Sequence, residues 1–191
     1  MRKSGILMHI SSLPSEYGIG KMGKSAYDFV DFLVKAGVKC WQILPLSPTS
    51  YGDSPYQSFS VYAGNPYFID FDTLRQEGLL KKSDYVDLKW QDSDKQVNYS
   101  KIYNNCYKVL KAAYKTYRHD LSQKYKDFAD ENSYWLDDYA LFMALKFKND
   151  GRPWYEWDSK VAQRDPKALK KVSEELNKDI EFFKFIQYKF F

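Results

Sequence analysis

Apolar positions along this chain fall first into short runs and later into helical stripes. Ser4-Gly5-Ile6-Leu7-Met8 is a short apolar run ending at His9, followed by a segment rich in Ser, Pro and Gly through Gly20, the pattern of a strand entering a loop. From Lys24 to Ala36, Tyr27, Val30, Leu33 and Val34 recur at helical spacing, and Gly37 stands where a helix C-cap ends. Val38 to Leu44 predicts a second strand, stopped by Pro45 and Pro48. Strand, helix and strand in about 40 residues form a βαβ unit, which implies parallel pairing. Phe68 to Phe71 predicts a further short extended piece, and beyond it helical patterns take over. Tyr99, Ile102, Tyr103, Cys106, Val109, Leu110, Ala113 and Tyr117 make one stripe, and Tyr134 to Phe147 a second, more apolar helix. Asp165-Pro166 supplies an N-cap and an N1 proline for a third long helix, striped Leu169, Val172, Leu176, Ile180, Phe183, Gln187, Phe190.

Between the second strand and the helices lies a stretch with neither period. Tyr51-Gly52-Asp53-Ser54-Pro55-Tyr56-Gln57-Ser58-Phe59-Ser60-Val61-Tyr62-Ala63-Gly64-Asn65-Pro66-Tyr67 mixes turn formers, hydroxyls and rings. Gly52, Pro55 and Gly64-Asn65-Pro66 break regular structure, so Tyr51, Tyr56, Phe59 and Tyr62 cannot all be the buried stripe of one element. Some of these rings face a ligand or water, and the stretch reads as a binding loop.

Composition narrows the function classes. The chain has 191 residues, 44% of them hydrophobic and 28% charged, which suits one globular domain or slightly more. Aromatic residues make up 18%, and rings with polar tips suit stacking on sugars or bases, although a bulky helical core absorbs most of them. A net charge of +4, with Asp and Glu interleaved among the lysines, gives a weak nucleic-acid footprint. No apolar run approaches the ~20 residues of a membrane span, and Ile6 to Ile10 is too short for a secretory signal, so the expected location is the cytoplasm. Cys40 and Cys106 lack metal-ligand spacing and are expected as plain core residues. No metal cluster, phosphate-cradling glycine loop or nicotinamide fingerprint is present. The last stripe runs to Phe190-Phe191 without a capping glycine, and two parallel strands leave edges unpaired, so the expectation is a fragment.

Several segments carry a resemblance: Gly5-Ile6-Leu7-Met8-His9 with Ser12-Leu13-Pro14 and Tyr17-Gly18-Ile19-Gly20; Trp41 to Thr49; Tyr51 to Ser60; Trp135 to Lys146; and the closing Gln187-Tyr188-Lys189-Phe190-Phe191. In this order they resemble the N-terminal portion of the 4-alpha-glucanotransferases, the amylomaltase or disproportionating enzyme group of glycoside hydrolase family 77. The resemblance implies an α/β fold, the start of a (β/α)8 TIM barrel with an inserted helical subdomain and with the barrel incomplete. Residues 1–72 would be the first βαβ part with a substrate-binding loop at 47–66, residues 73–165 the insert, and residues 166–191 a helix leading back, truncated at Phe191. A full barrel takes about 250 residues before insertions.

The chemistry the resemblance implies is transfer of α-1,4-glucan segments between malto-oligosaccharides by a retaining double displacement, without cofactor. That needs two carboxylates about 5 Å apart. No position here matches the family's carboxylates, so catalytic residues are expected beyond Phe191. Asp53, Asp70, Asp72, Asp137 and Asp138 read instead as turn-forming, exposed or capping residues. By resemblance Tyr56 stacks on or brackets a sugar ring, and Ser54 hydrogen-bonds a glucose hydroxyl, with Asp53 beside them; alternatively these residues only shape the turn. By the same resemblance Tyr51 would belong to a secondary glucan groove on the outer surface, or else also only shape the turn. His9 either lines the pocket or is a satisfied buried histidine. Trp154 and Trp157 are read as packing residues ahead of sugar platforms. Two other classes stand beside the transferase fragment: a non-catalytic glucan-binding module, and a helical interaction or nucleic-acid module resting on the Lys-rich helices. Neither nucleic acid nor membrane is an expected partner.

Overall fold

The computed structural model describes residues 3–50, 52–93, 95–118 and 122–191. Contacts gather the chain into two units, Met1–Asp120 with Phe190, and Leu121–Lys189 with Phe191.

In the first unit β1 (Gly5–Leu7) pairs in parallel with β2 (Cys40–Gln42), Gly5 opposite Cys40, Ile6 opposite Trp41 and Leu7 opposite Gln42. The pairing is shorter than the apolar runs predicted it. A Cβ on Gly5 would stand 2.8 Å from the Cys40 carbonyl oxygen, so glycine permits the close approach. The crossover is α1 (Lys24–Lys35). It ends in a Schellman motif: Gly37, at φ 70°, donates to the Val34 carbonyl, and Val38 donates to Leu33. The α1 stripe is a correction, because only Leu33 is buried, while Tyr27, Val30 and Val34 are exposed. Phe29 makes the contact with the sheet, its ring edge-on to Trp41 at 4.9 Å. Cys40 is likewise exposed rather than core, while Cys106 is buried as expected.

The segment Phe68 to Phe71 forms no strand, and only Ile69 and Asp70 within it are extended. Pro66–Phe68 is a single 3₁₀ turn, and α2 (Phe71–Gln76) follows at once, because Asp70 accepts from the Thr73 N–H at 2.7 Å and caps it. On α3 (Tyr99–Tyr117) most of the stripe holds, with Ile102, Cys106, Val109, Leu110, Ala113 and Tyr117 buried and Asn98 as the cap, but Tyr103 is exposed and Tyr99 only half-buried. These helices enclose an aromatic cluster in which Tyr17, Phe71, Tyr85 and Trp90 sit with ring centroids 5.2 to 6.0 Å apart. Asp72 takes a hydrogen bond from the phenol of Tyr17 and another from Tyr85, both 2.7 Å. Burial, with Asp72 beside it, lifts the Tyr85 phenol to about 12.

Lys21 enters this cluster from the loop after β1. Its side chain is almost wholly buried. The ammonium donates to the Tyr67 carbonyl at 2.8 Å and lies 3.9 Å from the Phe71 ring centroid. The next residue repeats the link, Met22 N–H donating to the Phe68 carbonyl.

The second unit holds α4 (Gln123–Glu131), α5 (Ser133–Lys148), a 3₁₀ turn at Trp154–Glu156, α6 (Ser159–Ala162), α7 (Pro166–Glu175) and α8 (Asn177–Phe190). Asp165 caps α7 through the Ala168 N–H, with Pro166 at N1, as the sequence predicts. The long third helix, however, is two helices. Leu176 adopts φ −97°, ψ 13°, outside the α-helical well, and interrupts the turn between α7 and α8. Val172, Leu176, Ile180, Phe183 and Gln187 stay buried across the break. Tyr125 on α4 donates to Glu181 at 2.8 Å, and Lys184 meets Asp137 at 2.5 Å. Among the described residues no helix is long and apolar enough to cross a membrane.

Burial lowers the Lys21 amine from 10.5 to about 8, against smaller upward pulls from Cys106 and Asp70. Between those two values the unfolded chain keeps a proton that the folded chain has lost, so stability rises with pH there; below about 8 the cost of the buried charge is complete. Relative to a Lys21→Met variant, urea melts are expected to show wild type gaining up to about 3 kcal/mol from pH 8 to pH 10.5. A difference constant in pH would show that the ammonium is not desolvated.

Candidate functional site

The loop after β2 is closed at its base by the Asn65 N–H donating to the Leu46 carbonyl at 2.8 Å. Within it Thr49 and Ser58 form an antiparallel bridge, and the Ser50 N–H donates to Gln57 at 2.9 Å. The Asp53 N–H reaches back to the Ser50 carbonyl, with Gly52 at φ 81° and Asp53 at φ 53°. A second turn runs Ser54-Pro55-Tyr56-Gln57, closed by the Gln57 N–H to the Ser54 carbonyl at 3.1 Å. Proline presets the second position of that turn, and Tyr56 occupies the third.

The serines serve the backbone. Ser54 Oγ accepts from the Tyr56 N–H at 3.3 Å, and Ser58 Oγ accepts from Ser60 N–H while donating to its carbonyl. Ser60 Oγ accepts from Tyr62 and Ala63, each at 3.2 Å. In that bond the Ser54 hydroxyl is the acceptor, so its own hydrogen is not used there. The result is a loop shaped by its own side chains, with Tyr56 75% exposed at the turn.

Asp53 points the other way. Its carboxylate accepts from Thr49 Oγ1 at 3.3 Å; burial raises its pKa, and the Thr49 hydroxyl partly offsets that. Its charge adds to burial in raising the phenols of Tyr67 and Tyr99. His9 is buried beneath the start of the loop. Its Nδ1 accepts from the Leu44 N–H at 3.3 Å, and its ring stands edge-on to Phe68 at 5.3 Å. An accepting Nδ1 makes Nε2 the protonated nitrogen of a neutral ring, and burial lowers the pKa accordingly.

Of the residues expected at a site, Asp53, Ser54 and Tyr56 share consecutive turns of one loop, and His9 lies under its base. Tyr51 lies outside the described residues. The remaining carboxylates named from sequence are engaged: Asp70 caps α2, Asp72 holds two phenols, Asp137 pairs with Lys184, and Asp138 pairs with Arg164 at 2.8 Å. Tyr62, another ring of the loop, is exposed as well. Trp154 differs from expectation, being 56% exposed rather than packed, whereas Trp157 does pack, tilted on Phe142 at 5.5 Å. An aromatic inside a Pro-Trp-Tyr-Glu turn, with no stripe around it, was the available signal for Trp154. Among the described residues no three His, Cys, Asp or Glu side chains gather as metal ligands.

What the loop offers chemically is a flat apolar ring with a phenol, a donating hydroxyl and a carboxylate, in fixed places. That set suits a polyol with an apolar C–H face and equatorial hydroxyls.

The family model described as 4-alpha-glucanotransferase matches residues 8–191. The 4-alpha-glucanotransferase of Clostridium butyricum is 50% identical over 184 residues, covering 96% of this chain and 38% of the relative. That of Streptococcus pneumoniae serotype 4 is 46% identical over 192 residues, covering 100% and 38%. Among solved structures, the amylomaltase from Streptococcus agalactiae in complex with acarbose is similar at TM-score 0.96 and 41% identity, over 100% of this chain and 39% of that one. The chain thus spans 38% of the length of these curated relatives.

The neutral His9 ring yields a pH dependence. Its folded pKa lies below the ordinary histidine value of 6.5, so as pH falls beneath that value the unfolded chain takes a proton first and stability is lost. From pH 7.5 to pH 5 the thermal midpoint of wild type is expected to fall further than that of a His9→Asn variant, whose amide oxygen can accept from Leu44. Equal falls in the two proteins would show that His9 is not held neutral.

Proposed function

This chain belongs to the 4-alpha-glucanotransferase family, and from that premise we propose that it supplies glucan-binding loops to an enzyme that transfers α-1,4-glucan segments between malto-oligosaccharides. In this reading β1, α1 and β2 are the first βαβ part of a (β/α)8 barrel, residues 73–165 are a helical insertion, and residues 166–191 lead back toward the barrel. The loop at 47–66 then leaves the C-terminal end of a barrel strand, where active-site loops of this architecture gather.

The observation that carries the reading is Tyr56. Its ring is held outward by a proline-set turn whose hydrogen bonds come from the loop itself, so ordering on ligand binding costs little. A glucose unit presents one apolar face to the ring, and Ser54 donates to a hydroxyl. Asp53 fixes the turn and contributes a carboxylate at its inner side, and His9 supports the loop base. The retaining double displacement itself requires a nucleophile and an acid/base pair. We assign neither to this chain: Asp70, Asp72, Asp137 and Asp138 are committed to a cap, phenols and ion pairs, and Asp53 to the Thr49 hydroxyl. That commitment also favours a second reading for the chain on its own, a glucan-binding module without turnover.

Calorimetric titration of the chain with maltohexaose is expected to show binding that Tyr56→Ala weakens about tenfold and Tyr56→Phe largely preserves. Ser54→Ala should cost about fivefold, one net hydrogen bond. With maltotriose the folded chain is expected to release no glucose and no longer oligosaccharide. Unchanged affinity in Tyr56→Ala would remove the loop from the site, and transfer products would mean that a carboxylate described above performs the chemistry.

A further inference from the structure

The second unit contains a groove of about 320 Å³ between α5, the Trp154–Glu156 turn, α6 and α7. The volume falls at the lower end of small-ligand sites, roughly 300 to 1,000 Å³. Phe142, Trp157 and Leu169 line its apolar interior, with Trp154 as one wall. Trp157 is fixed by its indole donating to the Arg152 carbonyl at 3.1 Å. Trp154 instead leaves more than half its surface to water beside a second exposed ring, Tyr155, at 5.9 Å. A half-exposed indole walling an apolar hollow is uncovered surface of the kind that marks binding.

The rim is charged. Arg164 reaches across to Asp138 at 2.8 Å, with side chains 63% and 66% exposed. Arg164 holds a left-handed conformation, φ 59°, where the chain turns from α6 into α7. That conformation disfavours side chains bearing a Cβ, so the guanidinium is kept at the rim against a local backbone preference. The pair uses one Asp138 oxygen and one guanidinium nitrogen, which leaves further acceptor and donor capacity on two residues that line the groove. A protein partner covering this rim would desolvate the pair at a cost, whereas a polyol would hydrogen-bond it.

We propose that this groove is a second contact for α-1,4-glucan, with Trp154 taking the C–H face of a glucose unit and Asp138 and Arg164 its hydroxyls. The proposal rests on the glucan ligand of the preceding section and assigns the helical unit its own share of a long substrate.

The test is a titration of the ¹⁵N-labelled chain with maltohexaose, following the indole N–H signals of its five tryptophans and the amides of residues 52–60. Trp154 and Trp157 are expected to shift with saturation. Trp154→Ala should abolish the Trp157 shift, Trp154→Phe should restore it, and Arg164→Met should weaken it roughly tenfold; Tyr56→Ala should leave it intact. Trp154 is already exposed, so its variants keep the fold. Loop shifts with silent tryptophans overturn this groove while sparing the loop site. Tryptophan shifts with a silent loop support the groove and remove the loop. Silence at both ends both proposals, and equal shifts with cellohexaose overturn the assignment to an α-glucan.

Discussion

An ammonium group shut away from water needs a carbonyl oxygen or an aromatic face, and Lys21 has both. The Tyr67 carbonyl accepts a hydrogen bond from it and the Phe71 ring lies beneath it. Because Lys21 belongs to the loop after β1 while Tyr67 and Phe71 flank the start of α2, the interaction ties two distant segments together. The same place is stitched by Met22 to Phe68. The far end of the candidate binding loop is therefore anchored where Asn65 meets Leu46 and where the chain then enters the Lys21 cage. Losing the partner carbonyl or the ring would leave an unpaired buried charge, which costs far more than the interaction gains. That asymmetry makes the link a constraint on how the segment 65–71 can run.

The loop itself is ordered differently, by short-range bonds. Ser54, Ser58 and Ser60 each satisfy backbone N–H groups within three residues, while Gly52 and Asp53 accept positive φ. A loop that carries its own hydrogen bonds can expose its aromatic residues without a partner element to hold them. The two kinds of order are complementary: a buried cation fixes where the loop is rooted, and hydroxyls fix its form.

The readable parts of the fold are those written in local chemistry. Gly37 and Asp165-Pro166 mark real helix ends, and α1, α3 and α5 form where the spacing predicts helices. α4 escaped notice because Tyr125 and Phe128 are its only large apolar residues in nine positions. The break at Leu176 is invisible to spacing, since the stripe continues across it. Phe68 to Phe71 misleads because β-favouring aromatics sit next to Asp70, whose capping bond decides the matter. Spacing on α1 predicts a helix correctly but says nothing of what covers its face, hence the exposed Tyr27 and Val34. At the site, Gly, Pro and Ser spell out turns, whereas Lys21 in a Gly-Lys-Met-Gly run looks like any solvated charge. The groove near Trp154 draws on four elements separated by up to some thirty residues, so no local pattern announces it.

Arg164 shows how stability and surface chemistry compete at one position. Glycine adopts the left-handed conformation without the ~1–2 kcal/mol that a Cβ costs there. A redesign that scores only backbone comfort would therefore choose glycine at 164, and with it would delete the cation that faces Asp138. The protein so improved would melt later and carry a lone carboxylate at the mouth of an apolar hollow, so an optimisation of the fold would act as an unintended edit of the surface chemistry.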